Sequence, residues 1–417
     1  MEMDEVQDSG SCPCVRPAES ERVRRMHMPE RAALLGSSVR DADRALNLNG
    51  GGNGLLDTTH FDTLRFPPPA WAAEVMARVT TDGALAHSPY RGSPDVLASL
   101  ARAVSSFLAA EIAPSNLALT PGTQAALFTT LAALINEGDL VMLANPEYVF
   151  AERMLAFLGA RVERIPLNYT QSQPTFDFDA IETLLPERPV LFMYSHPNNP
   201  TGAVMAPAVV ERLAELAIRG GFRVLADELY SRLVYDDTDF RHMMSISGMS
   251  QLCITTIGPS KTESLSGYRL GVVVAPEDVI AAVEQTLAAT SLRAPAYAHH
   301  LLTRWLVDDR EFVAERIVEL RALRDATIEK LQAVPELTLT CPMGTAYLFV
   351  GFEALPADDM QVAATLQREA GVIVSPGYQF GPSGMRHFRI CYACDEAEWS
   401  AALDRMVACL SRLARGQ

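Results

Sequence analysis

The stretch that decides the fold of this chain is GPSKTESLSGYRLG, residues 258 to 271. Small and hydroxyl residues flank Lys261 in it, and an apolar, strand-like segment follows, Leu270 to Ala275. A lysine amine held in a poorly hydrated place is a nucleophile towards aldehydes and can form a Schiff base. A Ser-Lys pair on its own is usually a solvated surface feature, so this hypothesis depends on the rest of the chain.

An earlier segment has the pattern of an anion site. A predicted strand, Leu117 to Thr120, is followed by Pro121-Gly122-Thr123-Gln124 and by an apolar stretch of helical length, Ala125 to Ile135. A small-residue turn at a helix N-terminus presents free backbone N–H groups and the positive end of the helix dipole. The alternative is an ordinary turn between a strand and a helix.

Two more predicted strands end in polar residues. Val190 to Tyr194 leads into a loop of turn-forming residues, in which Asn199 can hydrogen-bond a ligand beyond the strand's carboxyl end. Phe222 to Ala226 leads to Asp227 and then to Tyr230. Burying a carboxylate is costly unless a cation meets it, and a protonated pyridine nitrogen is such a cation. The alternative for the aspartate is a helix N-cap.

A candidate carboxylate-binding residue lies near the C-terminus. The glycine-rich loop Ser375 to Gly384 leads to a strand-like apolar stretch, Phe388 to Tyr392, which contains Arg389. An unpaired guanidinium there is expensive, and its planar fork suits the carboxylate of a substrate. A structural salt bridge is the alternative.

Taken in order along the chain, these motifs resemble those of the pyridoxal-phosphate-dependent aminotransferases of class I/II, fold type I. The resemblance extends from about Leu46 to the C-terminus. It implies an α/β fold, with a large domain built on a mostly parallel seven-stranded sheet flanked by helices, plus a smaller α+β domain. The motifs that carry it are Gly122-Thr123-Gln124, Asn199 to Gly202, Asp227 with Tyr230, Ser260-Lys261, Arg269 and Arg389.

The resemblance also implies roles for single residues. Lys261 would form the Schiff base with pyridoxal 5'-phosphate and move the proton of the substrate's α-carbon, with Asp227 and Tyr230 as the other catalytic residues. Asp227 would keep the pyridine nitrogen protonated. The remaining expected contacts are Asn199 and Tyr230 with the phenolate oxygen, Tyr148 stacked on the ring, Gly122, Thr123, Gln124, Ser260 and Arg269 on the phosphate, and Arg389 on the substrate's α-carboxylate.

Tyr90 bears on assembly. The segment His87 to Pro94 resembles the family stretch whose tyrosine crosses a subunit interface to reach the partner's phosphate. We therefore expect a homodimer with shared active sites.

Some positions depart from the family pattern. Gly258 stands where many members have Ser or Thr, so we expect phosphate binding to depend more on Arg269. The spacing of Tyr90 and Gly92 is closer to that of the 1-aminocyclopropane-1-carboxylate synthases, but Gly52 stands where that branch usually has a glutamate. Gly51 and Gly52 are expected beside the substrate, where they leave space for a bulky or unusual amino acid.

The sequence leaves the reaction open. Transamination of an α-amino acid is the simplest interpretation. The alternative is γ-elimination, replacement or cyclisation on S-adenosylmethionine or a similar amino acid, because the same lysine, aspartate and arginine serve each reaction. A cofactor-binding regulator without turnover is a further interpretation, but the first 70 residues do not resemble a DNA-binding domain.

Composition excludes other classes. The 417 residues carry a net charge of −16, which argues against nucleic acid or an anionic membrane as partner. No apolar run approaches the roughly 20 residues that span a bilayer. Seven cysteines, an odd number, favour a reducing compartment, and we expect a cytoplasmic protein. No metal site is expected, because Cys12-Pro-Cys14 and Cys391-Tyr-Ala-Cys394 each lack a second cluster at zinc spacing.

The chain divides into four predicted parts. Residues 1–44 are a polar N-terminal arm, mobile or clasping a partner. Residues 45–80 belong to the small domain and the substrate loop. In residues 81–307, the large cofactor-binding domain, strand-like runs alternate with helical stretches, which predicts a parallel sheet with ligands at the carboxyl ends of its strands. Residues 308–417 form the C-terminal small domain, which starts with a long charged helix, Glu311 to Gln332.

Overall fold

Strands and helices alternate along most of the chain. The computed structural model describes residues 20–26, 55–61, 65–79, 86–171, 173–235 and 238–416. Its strands are β1 (Leu56–Asp57), β2 (Leu117–Pro121), β3 (Leu140–Asn145), β4 (Arg161–Asn168), β5 (Thr175–Phe176), β6 (Leu191–Ser195), β7 (Arg223–Asp227), β8 (Cys253–Ile257), β9 (Leu270–Val274), β10 (Thr338–Leu339), β11 (Tyr347–Gly351), β12 (Val372–Ile373), β13 (Ser375–Pro376) and β14 (His387–Cys391).

The α-helices surround these strands. A π-helical turn, Leu366–Ala370, extends one of them, and short 3-10 turns join several elements. The helices are Glu21–Arg25, Ala70–Val79, Pro94–Leu108, Thr123–Leu134, Ala151–Leu158, Phe178–Leu184, Pro207–Gly220, Glu277–Ala289, Ala296–His299, Arg310–Leu331, Asp359–Thr365 and Glu396–Ala414.

The large sheet has the order β2-β9-β8-β7-β6-β3-β4-β5. Strands β8, β7, β6, β3 and β4 are parallel, whereas β9 is antiparallel to both of its neighbours. The prediction of an α/β fold with a mostly parallel sheet is confirmed. The predicted count of seven strands is corrected to eight in the described part of the chain, because the two-residue β5 pairs with the end of β4. So short a strand leaves no periodicity in the sequence.

Burial explains why the central strands have nearly continuous apolar sequences. Every residue of β3, β6 and β8 is buried, since helices cover both faces of the sheet. The parallel strands β6, β7 and β8 also end at one edge, where Ser195 pairs with Asp227 and Asp227 with Thr256. The loops that follow these strands carry Asn199, Tyr230 and Lys261, so the topology brings distant motifs together.

A second apolar core surrounds the smaller, antiparallel sheet β10-β11-β14-β13. The helices Arg310–Leu331 and Glu396–Ala414 belong to it, and Trp399 Nε1 donates to Thr327 Oγ1 at 2.7 Å between them. Strand β1 pairs with β12, so a segment before residue 60 packs with the C-terminal part. The boundaries proposed at residues 44, 80 and 307 stay predictions.

Much of the N-terminal region lies outside the described residues, including most of the predicted arm and both Gly51 and Gly52. Within residues 20–26, Ser20 caps the helix Glu21–Arg25, and Arg25 Nη1 donates to Glu137 Oε1 at 2.8 Å. In the parts of the chain that the structure describes, no helix has the length and apolarity to cross a membrane.

Candidate active site

A cavity of about 240 Å³ opens at the carboxyl edge of the large sheet. Its walls come from the loops after β2, β6, β7 and β8 and from residues around β13 and β14. Ten of the residues predicted for the site line it: Thr123, Gln124, Tyr148, Asn199, Asp227, Tyr230, Ser260, Lys261, Arg269 and Arg389.

The turn after β2 and Arg269 form one side of the cavity. Gly122 has φ +87° and precedes the helix Thr123–Leu134, so its successors present free N–H groups. A Cβ atom on Gly122 would lie 2.3 Å from Arg269 Nη2, so only glycine leaves room for the guanidinium. Within the described parts of the chain, the Arg269 guanidinium donates to two carbonyl groups, those of Ser266 at 2.9 Å and Pro121 at 3.3 Å. A cation beside a helix N-terminus is suited to an anion such as phosphate. We call Gly122–Gln124, Ser260 and Arg269 the phosphate side.

An aromatic wall adjoins the phosphate side. The Tyr148 hydroxyl donates to Gln124 Oε1 at 2.9 Å, and its ring meets Phe150 edge to face. This contact links the loop after β3 to the turn after β2.

Asp227 is a buried carboxyl group at the end of β7. Thr256 Oγ1 and the Leu229 N–H donate to it at 3.0 and 3.3 Å. Burial raises the pKa of Asp227 to about 6, although these hydrogen bonds act against the shift. The residues that follow form a turn, so Asp227 does not cap a helix. No cationic side chain in the described regions pairs with it, which leaves its charge available to a cationic ligand.

Lys261 lies on a loop that two arginines, one buried and one half-buried, hold from behind. Arg316 Nη1 donates to Thr262 O at 3.2 Å and to Ser264 Oγ at 2.8 Å. Arg232 bridges Glu263 and Asp309. Burial raises the pKa of Glu263 to about 7. No local pattern predicts this support, because its members come from three distant segments, at residue 232, at residues 262–264 and at residues 309–316.

Arg389 forms the other charged wall. It is 5% exposed, and its guanidinium lies 4.0 Å from the centre of the Tyr347 ring and 4.8 Å from that of Phe380. Nη1 donates to Asn199 Oδ1 at 2.7 Å, and Nη2 donates to Thr59 O at 2.6 Å and to Ser375 Oγ at 3.4 Å, while Nε has no partner among the residues that the structure describes. No carboxylate among the described residues pairs with it, so the alternative of a structural salt bridge is absent there. We call Asn199, Ser375 and Arg389, with the two rings, the carboxylate side.

Two further residues, one lining the cavity and one behind its wall, belong to no predicted motif. The Tyr347 hydroxyl lies 2.8 Å from that of Tyr230, and burial raises the pKa of Tyr230 well above its usual value. Glu147 lies behind the wall, where burial raises its pKa to about 8. Its position directly before Tyr148 in the sequence is the one feature that could have marked it as a site residue.

Tyr90 lies outside the cavity. Its ring is 42% exposed, and the Arg293 guanidinium lies 5.2 Å from the ring centre. Arg293 also donates to Ser88 O, which fixes the pair on the surface of the subunit.

Comparisons with known proteins agree with one another. The model of the family "Aminotransferase class I and II" matches residues 56–406. The aspartate/prephenate aminotransferase of Thermus thermophilus is 28% identical over 83% of this chain and 89% of its own length. A probable aspartate/prephenate aminotransferase of Aquifex aeolicus is 26% identical over 84% and 89%. The crystal structure of an aspartate aminotransferase from Rhodobacter sphaeroides superposes with a TM-score of 0.84, at 31% identity, over 86% of this chain and 92% of that one.

Proposed function

Because the chain belongs to the class I and II aminotransferases, enzymes that use pyridoxal 5'-phosphate, we propose that the cavity is its active site. The chain is a transferase acting on amino acids. The relatives carry aminotransferase names, so elimination or cyclisation on S-adenosylmethionine is not favoured, and the similarity to the cyclopropane-forming branch has no support in them.

The side chains present fit the cofactor. Gly122 leaves space that a Cβ atom would take from Arg269, beside free N–H groups that suit a phosphate. Asp227 is a buried acid that lacks a cation, which suits a protonated ring nitrogen. Tyr148 offers a ring face, and Arg389 Nε is a buried donor without a partner.

We assign the contacts on this basis. Gly122, Thr123, Gln124, Ser260 and Arg269 would hold the phosphate, and Tyr148 would stack on the ring. Asp227 would lie against the ring nitrogen, with Asn199 and Tyr230 on the phenolic oxygen. When bound, the cofactor supplies an aldehyde that condenses with amines and a ring that accepts electrons from the substrate's α-carbon.

The protein's own groups supply position and proton transfer. Arg389 would receive the α-carboxylate and so fix the direction of the bond to the α-hydrogen. Lys261 Nζ would take that proton and return it, as a general base and then an acid. The buried carboxylate side excludes water, which strengthens each polar contact.

The single observation that carries this proposal is that Lys261 lines one cavity with Asp227, Arg269 and Arg389. The sequence contains two lysines, Lys261 and Lys330, so the test is unambiguous. Borohydride reduction of the holoprotein is expected to leave a pyridoxyl adduct on Lys261 alone. Lys261→Ala should lower turnover by at least about 10³-fold, measured with aspartate, glutamate, prephenate and aromatic amino acids.

Lys330 is the matched control, because its amine donates to Ser400 and Asp404 away from the cavity. Lys330→Ala should keep the adduct and the turnover. An adduct on Lys330, or near-normal turnover of the Lys261 variant, would contradict the assignment.

We also propose a homodimer with shared sites, in which Tyr90 reaches the phosphate of the second copy. Its exposure outside the chain's own cavity supports this. Sedimentation is expected to give the mass of two chains, and Tyr90→Phe should weaken cofactor binding about threefold by removing one hydrogen bond. A monomer with full activity would end the proposal.

A cytoplasmic location remains part of the proposal. It is supported by Cys253 and Cys409, which form no disulfide within the described residues. Free thiols are the usual state in a reducing compartment.

A further inference from the structure

Glu147 is a buried acid to which the proposed function gives no role. Its side chain is 3% exposed and lies behind the aromatic wall. The two carboxylate oxygens accept four hydrogen bonds, from Ser195 N at 2.8 Å, Ser195 Oγ at 2.6 Å, Tyr148 N at 2.6 Å and Asn198 Nδ2 at 3.3 Å. Buried polar groups are normally hydrogen-bonded, and here one carboxylate joins the segment after β3 to the end of β6.

One route connects Glu147 to Arg389 through the loop after β6. Because the Ser195 hydroxyl donates its proton to Glu147, its oxygen is free to accept from the Asn199 N–H at 3.0 Å. Asn199 Oδ1 in turn accepts from Arg389 Nη1 at 2.7 Å. The carboxylate therefore orients the Ser195 hydroxyl, which anchors the backbone of the residue whose side-chain oxygen accepts from the guanidinium.

A second route passes through the backbone. The Glu147 N–H donates to Phe380 O at 3.0 Å, and the Phe380 ring lies 4.8 Å from the Arg389 guanidinium. Glu147 thus supports two neighbours of the Arg389 guanidinium. These are Asn199 Oδ1, which accepts a hydrogen bond from it, and the Phe380 ring, which lies against it. Since no carboxylate in the described regions pairs with Arg389, these contacts set its orientation together with Thr59 O, Ser375 Oγ and the Tyr347 ring.

An amide cannot replace the carboxylate in this position. Ser195 N, Tyr148 N and Asn198 Nδ2 are N–H donors and accept nothing. Whichever way a glutamine is turned, its NH₂ group faces at least one of them. Burial raises the pKa of Glu147 to about 8, while the hydrogen bonds from Ser195 and Tyr148 favour the ionised form. The carboxylate is therefore the form to test at pH 9.

We propose that Glu147 is a positioning residue for substrate recognition, which holds Arg389 in the orientation that receives the α-carboxylate by way of Ser195, Asn199 and Phe380. This inference rests on the proposed role of Arg389. It adds a residue that touches neither substrate nor cofactor and acts through the arginine.

The test measures carboxylate affinity separately from phosphate affinity. Succinate and 3-phenylpropionate are titrated at pH 9 into the holoprotein, followed by its visible absorbance, and inorganic phosphate is titrated into the apoprotein by calorimetry. Glu147→Gln should lower the affinity of the holoprotein for both carboxylates about tenfold, because a charged hydrogen bond is lost. KM for the amino acid should rise by a similar factor. Phosphate affinity and kcat should stay within about threefold.

Two further variants keep the test decisive. Ser195→Ala removes only the connecting hydroxyl and should lower carboxylate affinity about threefold. The double variant should bind carboxylates no more weakly than Glu147→Gln alone, since both substitutions act on the same connection to Arg389. Glu152→Gln is the matched control, because Glu152 pairs with Arg164 at the surface. It should change neither affinity.

The outcomes separate this inference from the proposed function. If Arg389→Ala weakens the carboxylates strongly while Glu147→Gln and Ser195→Ala do not, the inference is wrong and the assignment of Arg389 stands. An equal loss of phosphate and carboxylate affinity in both variants would also overturn it, since that marks a general defect. If Arg389→Ala itself has no effect, the proposed substrate contact fails first.

Discussion

The phosphate side and the carboxylate side each contain one arginine, and the chain holds the two in different ways. Arg269 is exposed, has φ +56° and donates to two backbone carbonyls. Arg389 is buried in a strand between two aromatic rings, with an amide and a carbonyl as acceptors. Arg269 is thus a surface cation beside a helix N-terminus, whereas Arg389 is a buried cation that pairs with no carboxylate in the described residues.

This difference predicts how each side responds to loss of its arginine. Water stabilises the exposed Arg269, and the N–H groups of the adjoining helix would still hold a phosphate without it. Around Arg389 water is excluded, so a carboxylate that enters has one strong partner, and its own desolvation is unfavourable without that partner. Binding on the carboxylate side should therefore depend on a single residue, whereas binding on the phosphate side is distributed.

Within this comparison of the two arginines, the largest expected effect follows from Arg389→Ala. It should weaken succinate and 3-phenylpropionate binding to the holoprotein about 100-fold, because a buried charged pair contributes roughly 2–5 kcal/mol. Cofactor affinity should stay within about twofold. Arg269→Ala, the counterpart, should weaken the cofactor about tenfold and leave carboxylate affinity unchanged, since phosphate keeps its backbone contacts.

Equilibrium titration of both ligands against both variants checks the comparison. If either variant lowers the affinities for the cofactor and for the carboxylates equally, the phosphate side and the carboxylate side do not bind independently. Arg389→Lys sharpens the result. A single ammonium cannot reproduce the fork that serves Asn199 Oδ1 and Thr59 O, so we expect this variant to recover little carboxylate affinity.

Sequence reasoning could predict most of the residues that line the cavity, because their signals are local. Buried parallel strands have continuous apolar sequences, and the polar residues that follow them mark the ligand edge. Arg389 could be recognised because a guanidinium within an apolar strand is costly without a ligand. The long charged helix predicted over Glu311 to Gln332 spans Arg310–Leu331.

The supporting residues could not be predicted in the same way. Glu147 and Ser195 are 48 positions apart, and Arg389 and Asn199 are 190 apart. Periodicity and turn chemistry describe neighbours along the chain, so they contain no information on which buried donor meets which acceptor. Tyr347 has the sequence environment of any core aromatic in a strand, and only the fold places its hydroxyl against Tyr230.

Within this comparison, the smallest expected effect concerns the glycine that leaves space for Arg269. Gly122→Ala puts a side chain at φ +87°, where its Cβ would lie 2.3 Å from Arg269 Nη2. The backbone strain should lower the free energy of unfolding by about 1–2 kcal/mol. Displacement of the guanidinium should also weaken cofactor binding about threefold. This is less than the effect of Arg269→Ala, because the displaced arginine can still reach the phosphate.

Gly138 separates these two consequences. Its φ is +88°, and a Cβ atom there would meet nothing within 4 Å. Gly138→Ala should therefore lower the unfolding free energy by a similar amount, measured by urea denaturation, and leave cofactor affinity unchanged. The difference between the two variants isolates the contact of residue 122 with Arg269 from backbone strain. Equal cofactor affinities in the Gly122 and Gly138 variants would mean that phosphate binding does not depend on the position of Arg269. The phosphate would then be held by the helix N-terminus alone.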